Sequence, residues 1–486
     1  MAYIQSFEGQ NWLLPLSIKD IIPKDHICFL VENFVNSLDF SKFDEEYDGV
    51  GAPAYHPRIS LKILIQGMLS KVRSSRKLAA ASRENLVFMY LGEKTKPNFR
   101  TIARFRMNNA SFVKEAFKKT VELAASYNLI DLSLICVDGT FIKANASKKR
   151  TIKREVFDIL DKAVERMIEE DIALDKLEEE MYGDSEENLT GMDRKDMKRI
   201  VDEYKKCQDK KKIEEIHKRV KKELDCDPNQ KKLSLTDPES RMMTNKKRNV
   251  EPSYNAQFSV DAKHQIILAN DVCQDGHDAN QLIPQIENIE ENIGKLPKGT
   301  KIGADCSYSS GNNFQFLEKK KLEGYIPSRA QAQELNGKEQ TLNHDMYEYD
   351  WDTDEIILDG VRLQFHKHSI RKDGKEVLLY KTKDWSIRRQ VPALFRERLR
   401  MKTKMQTAEA KEIYNRRKIV VEPPIGDIKE NLGFREFLLR GMNSVKTELN
   451  LVSIAHNLKK VWIKKKEVGM RTTFSKMLIK SDGICC

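Results

Sequence analysis

The strongest constraint in the chain is one short run, Leu134-Ile135-Cys136-Val137-Asp138-Gly139-Thr140-Phe141-Ile142. It is apolar and rich in β-prone side chains, so it fits a central strand covered on both faces. Asp138 interrupts it. A carboxylate in such a strand is costly to bury unless it is paired or meets a cation. The fold therefore needs a buried sheet, and Asp138 within it asks for an explanation. No run approaches about 18 uninterrupted apolar residues, the minimum for a spanning helix, so no transmembrane helix is expected. The start, Met1-Ala2-Tyr3-Ile4-Gln5-Ser6-Phe7-Glu8, has neither a basic nor an apolar leader region, so no signal peptide is expected.

Further strand signals follow. Tyr254-Asn255-Ala256-Gln257-Phe258-Ser259-Val260 and Gln265-Ile266-Ile267-Leu268-Ala269-Asn270-Asp271-Val272 read as a hairpin joined through residues 261–264. A helix is expected over 279–292. Lys301-Ile302-Gly303-Ala304-Asp305 then makes a third strand that ends on a second carboxylate. Residues 324–382 are strand-rich again, with a hairpin turning at Asp359-Gly360. Alternating strands and helices make this an α/β chain.

Residues 1–130 read differently. Apolar residues recur at three- and four-residue steps over 59–69, and Ser74-Ser75 offers a cap for the next helix. After a break at Lys96-Pro97-Asn98, another helix begins near Thr101 and carries Arg104 and Arg106. Short helices with arginines on the last fit a helix-turn-helix-like DNA-binding unit; an all-helical packing domain fits the same pattern. Residues 149–232 form a Glu- and Lys-rich insertion, either a helical hairpin or a solvated arm, which serves as a partner contact or a spacer.

The charge pattern bears on partners. The 486 residues carry 85 Lys+Arg against 74 Asp+Glu, a formal net charge of +11. Residues 148–232 hold 23 basic and 24 acidic side chains, whereas 381–486 hold 25 and 11. The surplus is C-terminal, which fits either a crowded soluble surface or one that faces a polyanion. The eight cysteines are scattered without a C-x-x-C pair, so a reduced, cytoplasmic setting is expected.

Cleaving a phosphodiester requires an activated oxygen nucleophile and a stabilised departing 3′ oxygen. Two Mg²⁺ ions about 3.5–4 Å apart supply both and call for oxygen ligands. Asp138, Asp305 and Glu422, on two strands and beside a later helix, can supply those ligands, although their wide spacing alone specifies little. The local wording adds more. Val137-Asp138-Gly139-Thr140, Thr236-Asp237-Pro238-Glu239-Ser240-Arg241, Tyr254-Asn255-Ala256-Gln257 and Ala304-Asp305-Cys306-Ser307-Tyr308 occur in order. Tyr414-Asn415-Arg416-Arg417 and Val421-Glu422-Pro423-Pro424-Ile425-Gly426-Asp427-Ile428-Lys429 follow them. This ordered set closely resembles the DDE transposases of bacterial insertion sequences, over most of residues 50–460.

The resemblance implies a ribonuclease-H-like mixed-sheet core from residues 131–148, 233–323 and 391–460. Around it lie a helical DNA-binding domain (1–130), the charged helical insertion (149–232), a β-rich insertion (324–390) and a basic tail (461–486). It implies that Asp138, Asp305 and Glu422 are the catalytic residues and ligands of Mg²⁺, with Mn²⁺ as an alternative. Tyr414, Arg417 and Lys429 match the signature around the glutamate, and with Arg104 and Arg106 they are expected to contact DNA. Glu422 and Lys429 would both face DNA if one helix carried them. The Arg417–Glu422 spacing holds four residues where the commonest signature holds three, and no cysteine cluster precedes it, so no zinc ribbon is expected. His277-Asp278 and Asp237 are expected in the core, through structure or DNA contact. Trp351 and Trp385 read as core residues or as platforms for an unpaired base. The implied activity is binding of terminal inverted repeats, cleavage at transposon ends and transfer of the 3′ hydroxyls into target DNA. A homodimer on double-stranded DNA is implied, with no membrane partner, in a bacterial cytoplasm beside the nucleoid. The alternatives are a domesticated nuclease and a non-catalytic DNA-binding regulator.

Overall fold

In the computed structural model, Leu134–Lys143 forms the expected strand, β1, and Ile135, Cys136 and Val137 are fully buried in it. The structure describes residues 17–45, 54–154, 157, 210–227, 232–245, 248–337, 348–372 and 374–468. The chain divides into two compact units, one of Asn128–Ile142 and Met243–Ile425, the other of Met1–Tyr127, Lys143–Met242 and Gly426–Cys486.

The first unit is built on β1. The strands that join it are β2 (Arg241–Thr244), β3 (Val250–Asp261), β4 (Ile267–Cys273), β5 (Lys301–Ala304) and β6 (Glu323–Tyr325). The order runs β3–β1–β5–β6, with β2 and β4 both beside β3. β3 and β4 are the expected antiparallel hairpin, while β5 lies parallel to β1 and β6 parallel to β5. The helix Leu282–Ile293 packs on β4 and β3 through Leu282, Ile286 and Ile289. In β3, Tyr254, Ala256 and Phe258 alternate with the equally buried Asn255, Gln257 and Ser259. One face of this strand therefore buries polar side chains that need partners inside the protein.

A second sheet in this unit has five antiparallel strands, Glu348–Asp350, Glu355–Leu358, Val361–Ile370, Glu376–Lys381 and Arg388–Pro392, in sequential order. Asp359 and Gly360 both have positive φ (49° and 80°), the two-residue turn their sequence predicts. Ile356, Leu363, Leu378, Tyr380 and Val391 close one face against Phe395. The helix Phe395–Lys404 is fastened there by Arg396, which reaches both Asp354 oxygens at 2.6 and 2.7 Å.

In the other unit, the helices Pro57–Leu69 and Ala110–Ser126 pack against a long C-terminal helix, Met442–Val468. Every residue from Thr447 to Asn457 in that helix is buried. A helix buried all round needs cover on every side, and the N-terminal helices supply it. The segment from Gly426 onward therefore groups with them, whereas the sequence boundaries place residues 391–460 wholly in the sheet core. Of the charged insertion, a strand pair (Thr151–Lys153 with Lys232–Ser234) and the helix Lys210–Cys226 are described; residues 158–209 lie outside the described residues. So do residues 469–486 of the basic tail, while 461–468 continue the long helix. No helix among the described residues is long and apolar enough to cross a membrane.

The Thr236–Arg241 block caps that long helix. Asp237, fully buried, accepts the Gly441 N–H at 3.1 Å, and Glu239 accepts the Met442 N–H while pairing with Arg219. Helix N-terminal N–H groups have no partner within the helix and favour an anion. Asp237 thus serves structure. Asp237→Ala strands a buried donor and should cost about 1–3 kcal/mol of stability, read by urea denaturation; an unchanged midpoint would refute the capping role.

Candidate active site on paired strands

Parallel pairing of β1 with β5 sets Val137 opposite Ala304. The next residues are Asp138, in the middle of β1, and Asp305, just past the end of β5, which brings two aspartates separated by 167 positions in sequence to neighbouring places on adjacent strands; adjacent strands of a sheet run about 4.8 Å apart. Burial pushes the Asp138 carboxyl up to about 6. The Arg417 guanidinium pulls in the opposite direction, and the Asp305 charge adds to the rise. Asp138 Oδ1 accepts the Gly139 N–H at 3.0 Å, and its Oδ2 lies 3.3 Å from Arg417 Nη1. Asp305 Oδ1 accepts the Ser307 N–H at 2.8 Å and also the Ser307 hydroxyl.

Arg417 comes from the helix Ala408–Gly426, whose face of Tyr414, Arg417, Val421 and Pro424 is buried. Glu409 ties this helix to β5 by taking the Lys301 ammonium at 2.7 Å. Gly303 in β5 lies against the Arg417 stem, and a Cβ there would meet it at 3.8 Å, an ordinary van der Waals contact. Arg417 Nε and Nη1 are buried without a hydrogen-bond acceptor; the 3.3 Å approach of Nη1 to Asp138 is an ion pair without hydrogen-bond alignment. Two buried cationic donors thus stand beside the Asp138 carboxylate without an aligned acceptor.

Glu422 follows Arg417 by five residues, about 140° further round the helix, and it is exposed. Pro423 lacks the N–H that would bond the Ile419 carbonyl, and Gln265 Nε2 takes that carbonyl at 3.0 Å instead. The α-helix ends at Gly426 and a π-turn, Asp427–Asn431, carries Lys429. One regular helix therefore does not carry both Glu422 and Lys429. In the helical unit, Arg104 is exposed whereas Arg106 is buried, paired with Glu448 at 3.2 Å and bonded to the Arg73 carbonyl at 3.1 Å. Arg106 holds the protein interior together, and Arg104 is the member of the pair at the surface. Trp351 and Trp385 are about half exposed, and Lys381 Nζ sits 3.2 Å from the Trp385 ring centre.

Asp278, expected in the core through structure or DNA contact, and four residues given no site role from the sequence stand about the two aspartates. Asp278 accepts Asn255 Nδ2 at 2.7 Å, Gln257 Nε2 at 2.6 Å and Ser307 Oγ at 3.1 Å, and the Tyr308 hydroxyl donates to Gln257 Oε1. The alternation of Asn255 and Gln257 within an otherwise apolar strand is the sequence signal for such a partner. This network closes over Gly139, where a Cβ would lie 2.4 Å from Gln257 Nε2 and 2.7 Å from Asp278 Oδ1. Gly139→Ala should therefore displace the network and destabilise the protein by about 1–3 kcal/mol. A melting temperature equal to that of the wild type would show that the space is not limiting.

The donors suit a hard divalent cation in kind, since Asp138 and Asp305 offer carboxylate oxygens and lack soft ligands. The desolvated, like-charged aspartate pair also gains from a cation placed between its members. The set is incomplete as it stands: among the described residues, no three His, Cys, Asp or Glu side chains are gathered as a metal site.

Two parts of the chain, neither of which includes Asp138 or Asp305, match known family models. Residues 16–108 match the family model of a transposase domain (DUF772), and residues 380–462 match a transposase DDE domain. The first match spans Arg104 and Arg106, and the second spans Tyr414, Arg417, Glu422 and Lys429. Two stretches of the chain are thus similar to transposase-domain families. No curated protein matches it.

Proposed function

We propose that the chain is a DNA transposase whose active site is the Asp138–Asp305 pair completed by Glu422. The observation that carries this reading is the parallel register that sets Asp138, within β1, beside Asp305, just past the end of β5. The strand order, with an antiparallel hairpin on one side of β1 and parallel strands on the other, supports a ribonuclease-H-like core. Asp138, Asp305 and Glu422 would hold Mg²⁺, or Mn²⁺ in its place, which when bound activates an oxygen nucleophile and stabilises the departing 3′ oxygen. Arg417 would supply positive charge beside the aspartate pair, and the exposed Arg104 offers a positive charge to the duplex. Handling two transposon ends together calls for a dimer on DNA.

The test is nicking of duplex DNA taken from the inverted repeats that flank the coding region, with and without Mg²⁺. Mg²⁺-dependent nicks at the repeat ends, followed by joining of pre-nicked ends to target DNA, are expected. Nicking without joining would instead identify a domesticated nuclease. The exposure of Glu422 away from a gathered cluster favours a second reading, a DNA-binding regulator with an inert core. That protein would bind the repeats and leave them intact.

A further inference from the structure

We infer that Asp278 is a positioning residue of this site: through Ser307 it sets the orientation of the Asp305 carboxylate. The inference rests on the function proposed above. Three donors converge on Asp278: the Asn255 and Gln257 amides share Oδ1, and the Ser307 hydroxyl meets Oδ2. Its lone pairs are largely committed to these partners, which suits an orienting group better than a metal ligand. Asn255 and Gln257 are themselves fixed, since both are buried on β3 and Gln257 is held from its other end by Tyr308. The carboxylate is thus locked to the sheet beside Gly139.

Ser307 transmits this order. Its hydroxyl oxygen lies within bonding distance of Asp278 Oδ2 and Asp305 Oδ1, yet a hydroxyl carries one hydrogen and serves one carboxylate at a time. The Ser307 N–H bonds Asp305 Oδ1 independently, so one Asp305 oxygen is already held toward this loop. When Asp305 gives its charge to a cation, the hydroxyl hydrogen can turn to Asp278 without leaving a bond unmade. Asp278 is the second acceptor that makes this exchange possible, and groups that orient ligands from behind commonly change affinity or rate by about 10–100-fold.

The experiment compares wild type, Asp278→Asn, Ser307→Ala and the double variant in two readouts: Mn²⁺ dissociation constant by electron paramagnetic resonance, and Mg²⁺-dependent nicking rate. Each single variant should weaken Mn²⁺ binding and slow nicking by about tenfold. The double variant should be no worse than the more impaired single, because both act along one path. Losses that multiply in the double variant would overturn the inference, as would wild-type values in Ser307→Ala. So would complete loss of Mn²⁺ binding in Asp278→Asn with Ser307→Ala unaffected, which would make Asp278 a ligand. If Asp278→Asn does not fold, Ser307→Ala alone must reproduce the tenfold effects. A wild-type protein that neither binds Mn²⁺ nor nicks DNA would sink the proposed function and this inference with it. An active wild type with an unaltered Asp278→Asn variant would sink this inference alone.

Discussion

Asp138→Asn is expected to leave a folded, DNA-binding protein that nicks repeat-end DNA at least about a thousandfold more slowly than wild type, a loss near 4 kcal/mol of transition-state stabilisation. The variant keeps the shape of the side chain and an oxygen for the Gly139 N–H. It removes the charge that the site would use to hold a divalent cation. Stability should move the other way or stay level. Burial outweighs the Arg417 attraction at Asp138, and the Asp305 charge adds to that cost, so the ionised side chain works against the folded state. Loss of activity with an equal or higher melting temperature separates a catalytic carboxylate from a structural one. Asp305→Asn should show the same loss of nicking. Glu422→Gln should lose activity with no change in melting, because its side chain is exposed. Repeat-end cleavage by Asp138→Ala at the wild-type rate would overturn the assignment of the site.

Local elements were legible in the sequence where local chemistry decides them. The β1 run, the β3–β4 hairpin and the turn at Asp359-Gly360 each follow from side-chain type and φ preference over a few residues. The two aspartates were identifiable because a carboxylate inside or at the end of an apolar strand needs an explanation. What pattern alone does not carry is register and partner. Nothing local sets Val137 opposite Ala304, or sends the helix after Gly426 to the N-terminal helices. Residues 449–458 contain polar side chains, and only the packed helix shows Ser453, His456 and Asn457 fully buried. Arg106 illustrates the same limit. An arginine on a short helix near the N-terminus looks the same in sequence whether it faces DNA or a buried glutamate. The role of Asp278 was hidden for a related reason, since its partners come from β3 and from the loop after β5.

Glu448→Ala should destabilise the helical unit by about 3–5 kcal/mol, a large share of the roughly 5–15 kcal/mol that holds a typical domain folded. Glu448 is fully buried. Its Oε1 lies 3.2 Å from Arg106 Nη1 and 3.8 Å from Arg73 Nη2, and its Oε2 accepts the Leu438 and Leu439 N–H groups at 2.7 and 3.0 Å. Arg73 also stacks on Phe434 at 4.2 Å and bonds the Gly433 and Glu436 carbonyls. Alanine would leave two buried guanidiniums without an anion and two backbone donors without an acceptor. Removing Arg106 together with Glu448, as in Arg106→Leu with Glu448→Met, should cost less than Glu448→Ala, because only Arg73 then loses its counter-charge. Urea denaturation reads both effects, and a Glu448→Ala midpoint within error of the wild type would contradict the network. The same geometry separates the two arginines of the DNA-facing expectation. Arg106→Ala should lower DNA binding only as far as it unfolds the unit, whereas Arg104→Ala should weaken binding with the melting temperature unchanged. An arginine that loses both in proportion belongs to the scaffold, and one that loses binding alone belongs to the surface.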